Sequence, residues 1–600
     1  MDAKKKGRVF RMKKVNYLDT ACRLSQHLSS RRRWQLAGLS ILTVVSTFAE
    51  LLSISAAFPF LMVLASPQSL FEHAFIAKWA ESMGITSPQQ LIGPLSILFC
   101  TAIVFATTVR ISLVWIQARL SHLIGIDLAV EMFERTLHQP YRVHAGRNTS
   151  SVIAAINGKS SKIAVSFILP SLVIGNASVL LISALIVLLI VSPKIALILV
   201  GGLTLIYGIA GFLMRNLIRR NGETISREMS NVIQVLQEGL GGIRDVLLDG
   251  SQGLHRRRYA RSVRRQRLAM ADNQILGAIP RFVVEGLGII LIVGIAWYLA
   301  SSPGGLEGVL PLLGGIALGA QRLLPVAQQA YNAWTQIGGA GPAIKDCLTY
   351  LEQPHDHRVT RQLPALKFTQ EIRLEGVNLH YEGAESPALR GINLSIPRGT
   401  RLGVIGPTGS GKSTLADILM GLISPDKGCM KVDGQPMDAA HLPAWQKHIA
   451  HVPQTIFLTD ASLAENIAFG KERSEIDMHR LHTAIDRAQL TETIQALPYG
   501  VDTQVGERGV RLSGGQRQRI AIARALYREA DVIVFDEATS ALDSATEARV
   551  MEAVAGLDRS LTLIMIAHRL STLKECDSIL EIKEGRITRE GVPADMLDGA

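Results

Sequence analysis

Gly406-Pro407-Thr408-Gly409-Ser410-Gly411-Lys412-Ser413 is the stretch on which the reading of this chain turns. It follows a strand-like run, Arg401–Ile405, and opens a helical one, Thr414–Met420. Strand, glycine-rich turn, helix is the order that the pattern GxxxxGK[ST] needs if it is to hold phosphate. The glycines let backbone N–H groups close on phosphate oxygens with no Cβ in the way, and the helix N-terminus adds a favourable dipole. Lys412 is placed to reach the β- and γ-phosphates of a nucleotide, and Ser413 to ligate Mg2+. From about residue 368 onward, short apolar strands alternate with helices, which is α/β punctuation.

Two further stretches lie downstream. Val532-Ile533-Val534-Phe535-Asp536-Glu537 is an apolar strand ending in two carboxylates. Asp536 is expected to bind Mg2+, often through water, and Glu537 to polarise the attacking water. An ordinary strand can also end in Asp-Glu, but the phosphate loop upstream outweighs that reading. Between the two stands Leu512-Ser513-Gly514-Gly515-Gln516, opening an Arg-rich helix. Two glycines, a Ser hydroxyl and a helix start make a second anion cradle.

In order and spacing these motifs, with the membrane segments described next, resemble an ATP-binding cassette (ABC) transporter of the exporter type. The likeness covers nearly all 600 residues. It implies a multi-domain fold: an all-α six-span transmembrane domain, then an α/β P-loop cassette that binds ATP and Mg2+. In such proteins the Ser513–Gln516 string of one copy closes over the ATP held by the other copy's loop, so the resemblance implies a homodimer. Gly406, Pro407, Thr408, Gly409, Ser410, Gly411, Lys412, Ser413 and Thr414 would hold the nucleotide, with Ser513, Gly514, Gly515 and Gln516 from the second copy. By the same resemblance, Tyr381 stacks on adenine, and Gln454 senses Mg2+ and water. Asp543, in Ser540-Ala541-Leu542-Asp543, crosses the dimer, and His568 is similar to the switch histidine at the γ-phosphate. Gly506-Glu507-Arg508-Gly509 resembles the exporters' transmission loop.

Composition points the same way. The chain is 48% hydrophobic and 19% charged; with its 52 Gly counted in place of its 10 Tyr, apolar usage is about 55%, above the usual 45–50%. That excludes a disordered chain and disfavours an average soluble enzyme. Crossing ~30 Å of hydrocarbon takes about 20 apolar residues. Six stretches qualify, at about 35–65, 93–117, 164–191, 195–217, 282–300 and 306–328. The first follows Arg31, Arg32 and Arg33 but is far longer than the core of a signal peptide.

The net charge of +12 is read by position. Lys4, Lys5, Lys6, Arg8, Arg11, Lys13 and Lys14 precede the first span, and Arg256, Arg257, Arg258, Arg261, Arg264, Arg265 and Arg267 lie between the fourth and fifth. Segment 66–92 carries only Lys78. Positive segments stay inside. The expected layout is thus a basic cytosolic segment 1–34, a transmembrane domain 35–340, a linker 341–367 and a cytosolic cassette 368–600, in a multi-pass protein of the bacterial inner membrane. The charge marks topology, and no nucleic-acid partner is expected. Five Cys without CxxC spacing indicate neither a disulfide framework nor a structural zinc site.

Segments 118–163 and 218–281 are long and helix-patterned, suited to reaching the cassette. Pro140–Arg147 breaks helix and would form one coupling element; Glu238-Gly239-Leu240-Gly241-Gly242-Ile243-Arg244-Asp245 resembles the second. Phe71, Phe75, Trp79 and Met83 place one apolar stripe on a short outer helix. With Pro280-Arg281-Phe282-Val283-Val284-Glu285 opening the fifth span, this resembles flippases for lipid-linked oligosaccharides. The expected cargo is amphipathic and lipid-linked, moved outward across the bilayer. General lipid, drug or peptide export is the alternative, and an ATP-gated channel a further one. Within the spans, Glu50 reads as a packing partner or a pathway residue, Arg281 and Glu285 as an i,i+4 pair, and Arg110 and Arg322 as snorkelling side chains. The basic run at Arg256–Arg267 reads as topology ahead of a grip on lipid phosphates. Asn148-Thr149-Ser150 and His355-Asp356-His357 are read as a cytosolic sequon and a solvated linker.

Overall fold

The computed structural model describes residues 17–65, 92–191, 193–300, 310–354, 366–381, 383–506, 509, 512–537, 558–566 and 573–597, with isolated positions between 547 and 556. The chain divides into two units: Met1–Gln139 with Gly146–His355, and Pro140–Ala145 with Asp356–Ala600.

The first unit is helical. It contains α1 (Tyr17–Gln26), α2 (Ser30–Ala65) and α3 (Ile92–Leu137); α4 (Tyr141–Ala145) interrupts it in sequence but belongs to the second unit. Then come α5 (Thr149–Ile153), α6 (Ser160–Ile163), α7 (Leu169–Val191), α8 (Pro193–Gly241), α9 (Ile243–Leu248), α10 (Gln252–Ala300) and α11 (Leu310–Leu351). Among the described residues, Ser30–Ser53, Ile92–Leu137 and Thr149–Ile186 are long and apolar enough to cross a membrane. The other three apolar stretches fall on α8, α10 and, from Leu310 onward, α11, of 49, 49 and 42 residues. At 1.5 Å per residue a 49-residue helix is about 74 Å long, more than twice the hydrocarbon core, so much of it stands in water.

α2 is inverted relative to a helix of a water-soluble protein. Thr43, Ser46 and Thr47 are buried, while Ile41, Val44, Val45, Phe48 and Leu52 are exposed. Lipid is as apolar as these side chains, so the small polar residues take the packing face. The Thr43 and Thr47 hydroxyls donate to Leu39 O and Thr43 O in their own helix, at 2.9 and 3.0 Å. Deeper along α2, Glu50 lies 3.6 Å from Arg110 of α3, which makes Arg110 an ion-pair partner and not merely a snorkelling cation. Arg281 and Glu285 form the expected i,i+4 pair at 2.8 Å.

The third span departs from a plain helix. π-helical turns occupy Ala154–Lys159 and Ala164–Ile168, on either side of α6. Ser160 N–H bonds Ala155 O and Leu169 N–H bonds Ala164 O, each five residues back. Ala154, Lys159 and Ala164 are therefore all buried, although a five-residue spacing would place them on different faces of an α-helix. Neighbouring helices approach closely here: a Cβ on Gly125 would lie 2.7 Å from Ala164 Cβ, and one on Gly158 2.1 Å from Met229. Lys159 Nζ reaches Asp346 of α11 at 2.6 Å, and Ser226 Oγ of α8 donates to the same oxygen at 2.9 Å.

In the second unit α4 is followed by β1 (Glu371–Leu379), β2 (Leu389–Pro397), β3 (Arg401–Ile405), α12 (Lys412–Leu419), β4 (Lys427–Val432), β5 (Gln435–Pro436), α13 (Leu442–Gln446) and β6 (Ile449–Val452). After these come α14 (Leu463–Ile467), α15 (Met478–Arg487), α16 (Thr491–Gln495), α17 (Gly514–Tyr527), β7 (Val532–Asp536), β8 (Thr562–Ile566), β9 (Ser578–Lys583), β10 (Arg586–Gly591) and α18 (Pro593–Leu597). Six strands form a sheet in the order β10-β9-β3-β8-β7-β6; β9, β3, β8, β7 and β6 run parallel and β10 antiparallel at the edge. A four-stranded antiparallel sheet, β2-β1-β4-β5, carries the N-terminal part. β3, β7 and β8 read as unbroken apolar runs because parallel strands are covered on both faces. Functional groups in such sheets collect beyond the C-terminal ends of the strands.

Candidate functional site

The loop Gly406–Gly411 joins β3 to α12 at the C-terminal edge of the parallel sheet. Its glycines are required by geometry at two points. Gly406 has φ 148° and a Cβ there would lie 2.2 Å from Ile582 O; Gly411 has φ 110° and its Cβ would lie 2.6 Å from Ala388 O. Lys412 is buried, and its Nζ donates to Gly406 O at 2.8 Å and Pro407 O at 3.0 Å, drawing the loop around the ammonium. Ser410 Oγ is buried and has no hydrogen-bond partner among the described residues. An orphaned hydroxyl inside a loop of backbone N–H groups fits a phosphate oxygen, so the residues present suit a nucleotide. Pro407, Thr408, Gly409 and Ser413 are exposed along the same loop and first helical turn.

The carboxylates stand two strands away. β7 ends at Asp536, and Glu537 follows with φ 49°, a left-handed conformation uncommon for a residue with a Cβ. Strain of this kind concentrates at working sites. Glu537 N–H donates to Ile566 O of β8 at 2.9 Å, and Gln454 Nε2 donates to Glu537 Oε2 at 2.8 Å. The fold therefore brings Gln454 and Glu537 into direct contact. Burial and the neighbouring Glu537 charge push the Asp536 carboxyl up, opposed by Lys412. A hard divalent cation on Asp536 and Ser413 would relieve that cost, so the oxygen donors fit Mg2+.

Asp417 of α12 is a member of this cluster that residue patterns did not single out. Burial, then the Asp536 charge, raises its carboxyl to about 6. The only signal in the chain is an acid five residues beyond Lys412, flanked by the apolar residues Leu415, Ala416, Ile418 and Leu419. Tyr381 Oη lies 3.4 Å from Thr414 Oγ1, which ties the aromatic to the first turn of α12. Ser513 caps α17: its Oγ accepts from Gln516 N–H at 3.2 Å, and Gln516 Oε1 accepts from Ser513 N–H at 2.8 Å. Such a reciprocal cap leaves the N–H groups of Gly514 and Gly515 without intrahelical partners, as at any helix start.

His568 and Asp543 lie outside the described residues, as do Glu507, Arg508, the stripe Phe71–Met83 and His355–His357. Of the segment Pro140–Arg147, expected to be a coupling element, Tyr141–Ala145 is helical (α4) and belongs to the cassette unit; of Glu238–Asp245, expected to be the second, the first part ends α8 at Gly241 and α9 starts at Ile243.

Comparison with known proteins bears on the whole chain. Residues 39–302 match the ABC transporter transmembrane region and residues 389–540 the ABC transporter family. An ATP-dependent lipid A-core flippase of Thiobacillus denitrificans is 31% identical over 96% of this chain and 96% of its own. One of Ralstonia nicotianae is 30% identical over 82% of each. The chain belongs to the ABC transporter family. In fold it is similar to a bacterial Atm1-family ABC exporter solved with ATP bound, at TM-score 0.76 and 23% identity over 94% of this chain and 97% of that one. This ABC transporter is an exporter with membrane and nucleotide domains fused, and an ATPase coupled to transport.

Proposed function

We propose that this ABC transporter works as a pair of identical copies in the bacterial inner membrane, cassette and N-terminus cytosolic, moving an amphipathic lipid outward by alternating access. The observation that carries the catalytic half is the 2.8 Å contact from Gln454 to Glu537 beside Asp536 and the Gly406–Thr414 loop. Gly406–Thr414 and Tyr381 hold the nucleotide. Ser513–Gln516 and Asp543 of the second copy close the site, and His568 contacts the γ-phosphate. Gln454 orients water and Glu537 takes its proton as the water oxygen attacks the γ-phosphorus in line, the bond to the β,γ-bridging oxygen breaks, and ADP and phosphate leave. Ser413, Asp536 and Gln454 would hold Mg2+, which would supply neutralisation of phosphate charge. Clasping and release of the two cassettes drive the long helices between two arrangements. The basic residues before the first span and between the fourth and fifth support the orientation.

The cargo reading rests on two observations. The relatives just described are lipid A-core flippases. Among the described residues, α7, α8 and α11 line an open apolar pocket of about 390 Å³ with Leu181, Ile182, Leu185, Leu323, Tyr207 and Tyr331, among others, a setting for an acyl chain. The favoured cargo is a lipid bearing a saccharide headgroup, a lipid-linked oligosaccharide or a lipid A-core. Proteoliposomes containing labelled forms of each test this. Translocation of at least one, abolished by Glu537→Gln, is the expected result. If neither moves while drugs or peptides stimulate hydrolysis, general export replaces the glycolipid reading.

A further inference from the structure

Arg142 sits on α4, the five-residue helix that belongs to the cassette unit although it lies between membrane helices in sequence. Its guanidinium forks across two acceptors: Nη1 donates to Asp426 Oδ1 at 2.9 Å and Nη2 to the His380 carbonyl at 2.8 Å. Asp426 Oδ2 in turn accepts the His380 N–H at 2.7 Å, and Asp426 N–H donates to Asn378 O at 2.9 Å. The His380 N–H and then the Arg142 guanidinium hold the Asp426 carboxyl below its usual range. His380 is thus gripped at both ends of its backbone. The carbonyl that Arg142 holds belongs to the peptide group joining His380 to Tyr381.

Tyr381 carries the aromatic ring whose hydroxyl meets Thr414 at the phosphate loop. Tyr141, next to Arg142, lies in the same electrostatic neighbourhood: burial, then the Asp417 carboxylate and the Tyr381 phenol, raise its titration above the ordinary range. As a source of stability the Arg142–Asp426 pair counts for little, because the two side chains are 36% and 38% exposed. Its value is geometric, since a planar fork fixes the relative position of two acceptors as a single ammonium cannot.

We propose that Arg142 is a positioning residue of the nucleotide site, fixing the 380–381 peptide so that Tyr381 is set for the base and α4 docking and nucleotide binding depend on each other. By linkage, whatever factor α4 docking contributes to nucleotide affinity, nucleotide returns to α4 docking. This rests on the reading of Tyr381 as the adenine-facing aromatic.

Full-length protein in lipid discs tests it through KM and kcat for ATP hydrolysis in wild type, Arg142→Ala, Arg142→Lys, Tyr381→Ala and the Arg142→Ala/Tyr381→Ala pair. Arg142→Ala is expected to raise KM about three- to tenfold, with kcat changed less than about twofold. Arg142→Lys, able to pair with Asp426 but not to fork, gives a smaller rise. The double variant is no worse than Tyr381→Ala, because the two residues act in series. A wild-type KM in Arg142→Ala beside a raised KM in Tyr381→Ala overturns the proposal alone, as does a double variant whose KM rise is the product of the singles. An unchanged KM in Tyr381→Ala overturns the adenine reading and the proposal with it. Nucleotide-free melting monitors folding; should Arg142→Ala not fold, the KM of Arg142→Lys decides, a wild-type value overturning the proposal.

Discussion

Glu537 combines a left-handed backbone with a carboxylate held by Gln454. Glu537→Gln keeps size and a hydrogen-bonding group but loses the base. Nucleotide binding is expected to persist while hydrolysis falls about 10²–10⁴-fold, read as trapped nucleotide in closed pairs. Near-normal turnover would remove Glu537 from the role. Asp417 allows a pH test. Its folded-state carboxyl titrates at about 6 against an ordinary 3.8, so ionisation opposes folding. The penalty is absent below about 4, grows through the interval and is complete above about 6. Asp417→Asn should therefore melt higher than wild type at pH 7.5 without nucleotide, by about 2–4 °C, and the gap should close as pH falls from 6 to 4. The half-exposed carboxyl keeps the effect modest through solvent screening. A gap that widens on acidification would contradict the assigned burial cost.

At the scale of elements, the phosphate loop and the third span show how backbone geometry limits substitution. Gly406 and Gly409 both have positive φ, 148° and 80°, yet a Cβ on Gly406 meets Ile582 O and one on Gly409 meets nothing within 4 Å among the described residues. Gly409→Ala should cost only left-handed strain of about 1–2 kcal/mol. Gly406→Ala must displace the loop and should weaken nucleotide binding more than about tenfold, as calorimetric titration would show. In the π-helical region, Lys159 is the buried partner of Asp346. Lys159→Ala should lower stability by about 1.5–3 kcal/mol in thermal unfolding, against less than about 1 kcal/mol for Arg219→Ala, whose pair with Glu223 is exposed. Equal losses would show that burial of the Lys159 pair carries no extra weight. Among the described residues, the long helices were legible as apolar runs because membrane solvent demands continuous apolar length. The π turns were not, since they answer to close approaches by Gly125 and Gly158 that are set by other helices.

At the scale of the whole molecule, the proposed pairing places each complete site between two copies. Lys412→Ala and Gly514→Glu damage opposite halves of that site. Each variant alone should be inactive. Mixed in equal amounts and reassembled, they should recover about a quarter of wild-type hydrolysis, because mixed pairs retain one intact site. No recovery on mixing would place both halves of the site within one copy.

Residue order alone determined the features that are contiguous: the glycine loop before a helix, the apolar strand ending in Asp536-Glu537, the helix start at Ser513–Gln516 and the membrane-length runs. Each depends on neighbours within one element, so local periodicity and spacing suffice to reveal it. Tertiary structure alone decided which of these groups touch. The Gln454–Glu537 contact spans 83 residues and the Arg142–Asp426 contact 284. The raised carboxyl of Asp417 likewise arises from burial of its side chain and then from the Asp536 charge at the end of β7. Such pairings follow from strand order and helix docking, where the energy comes from burial shared by distant segments, and no local pattern records it.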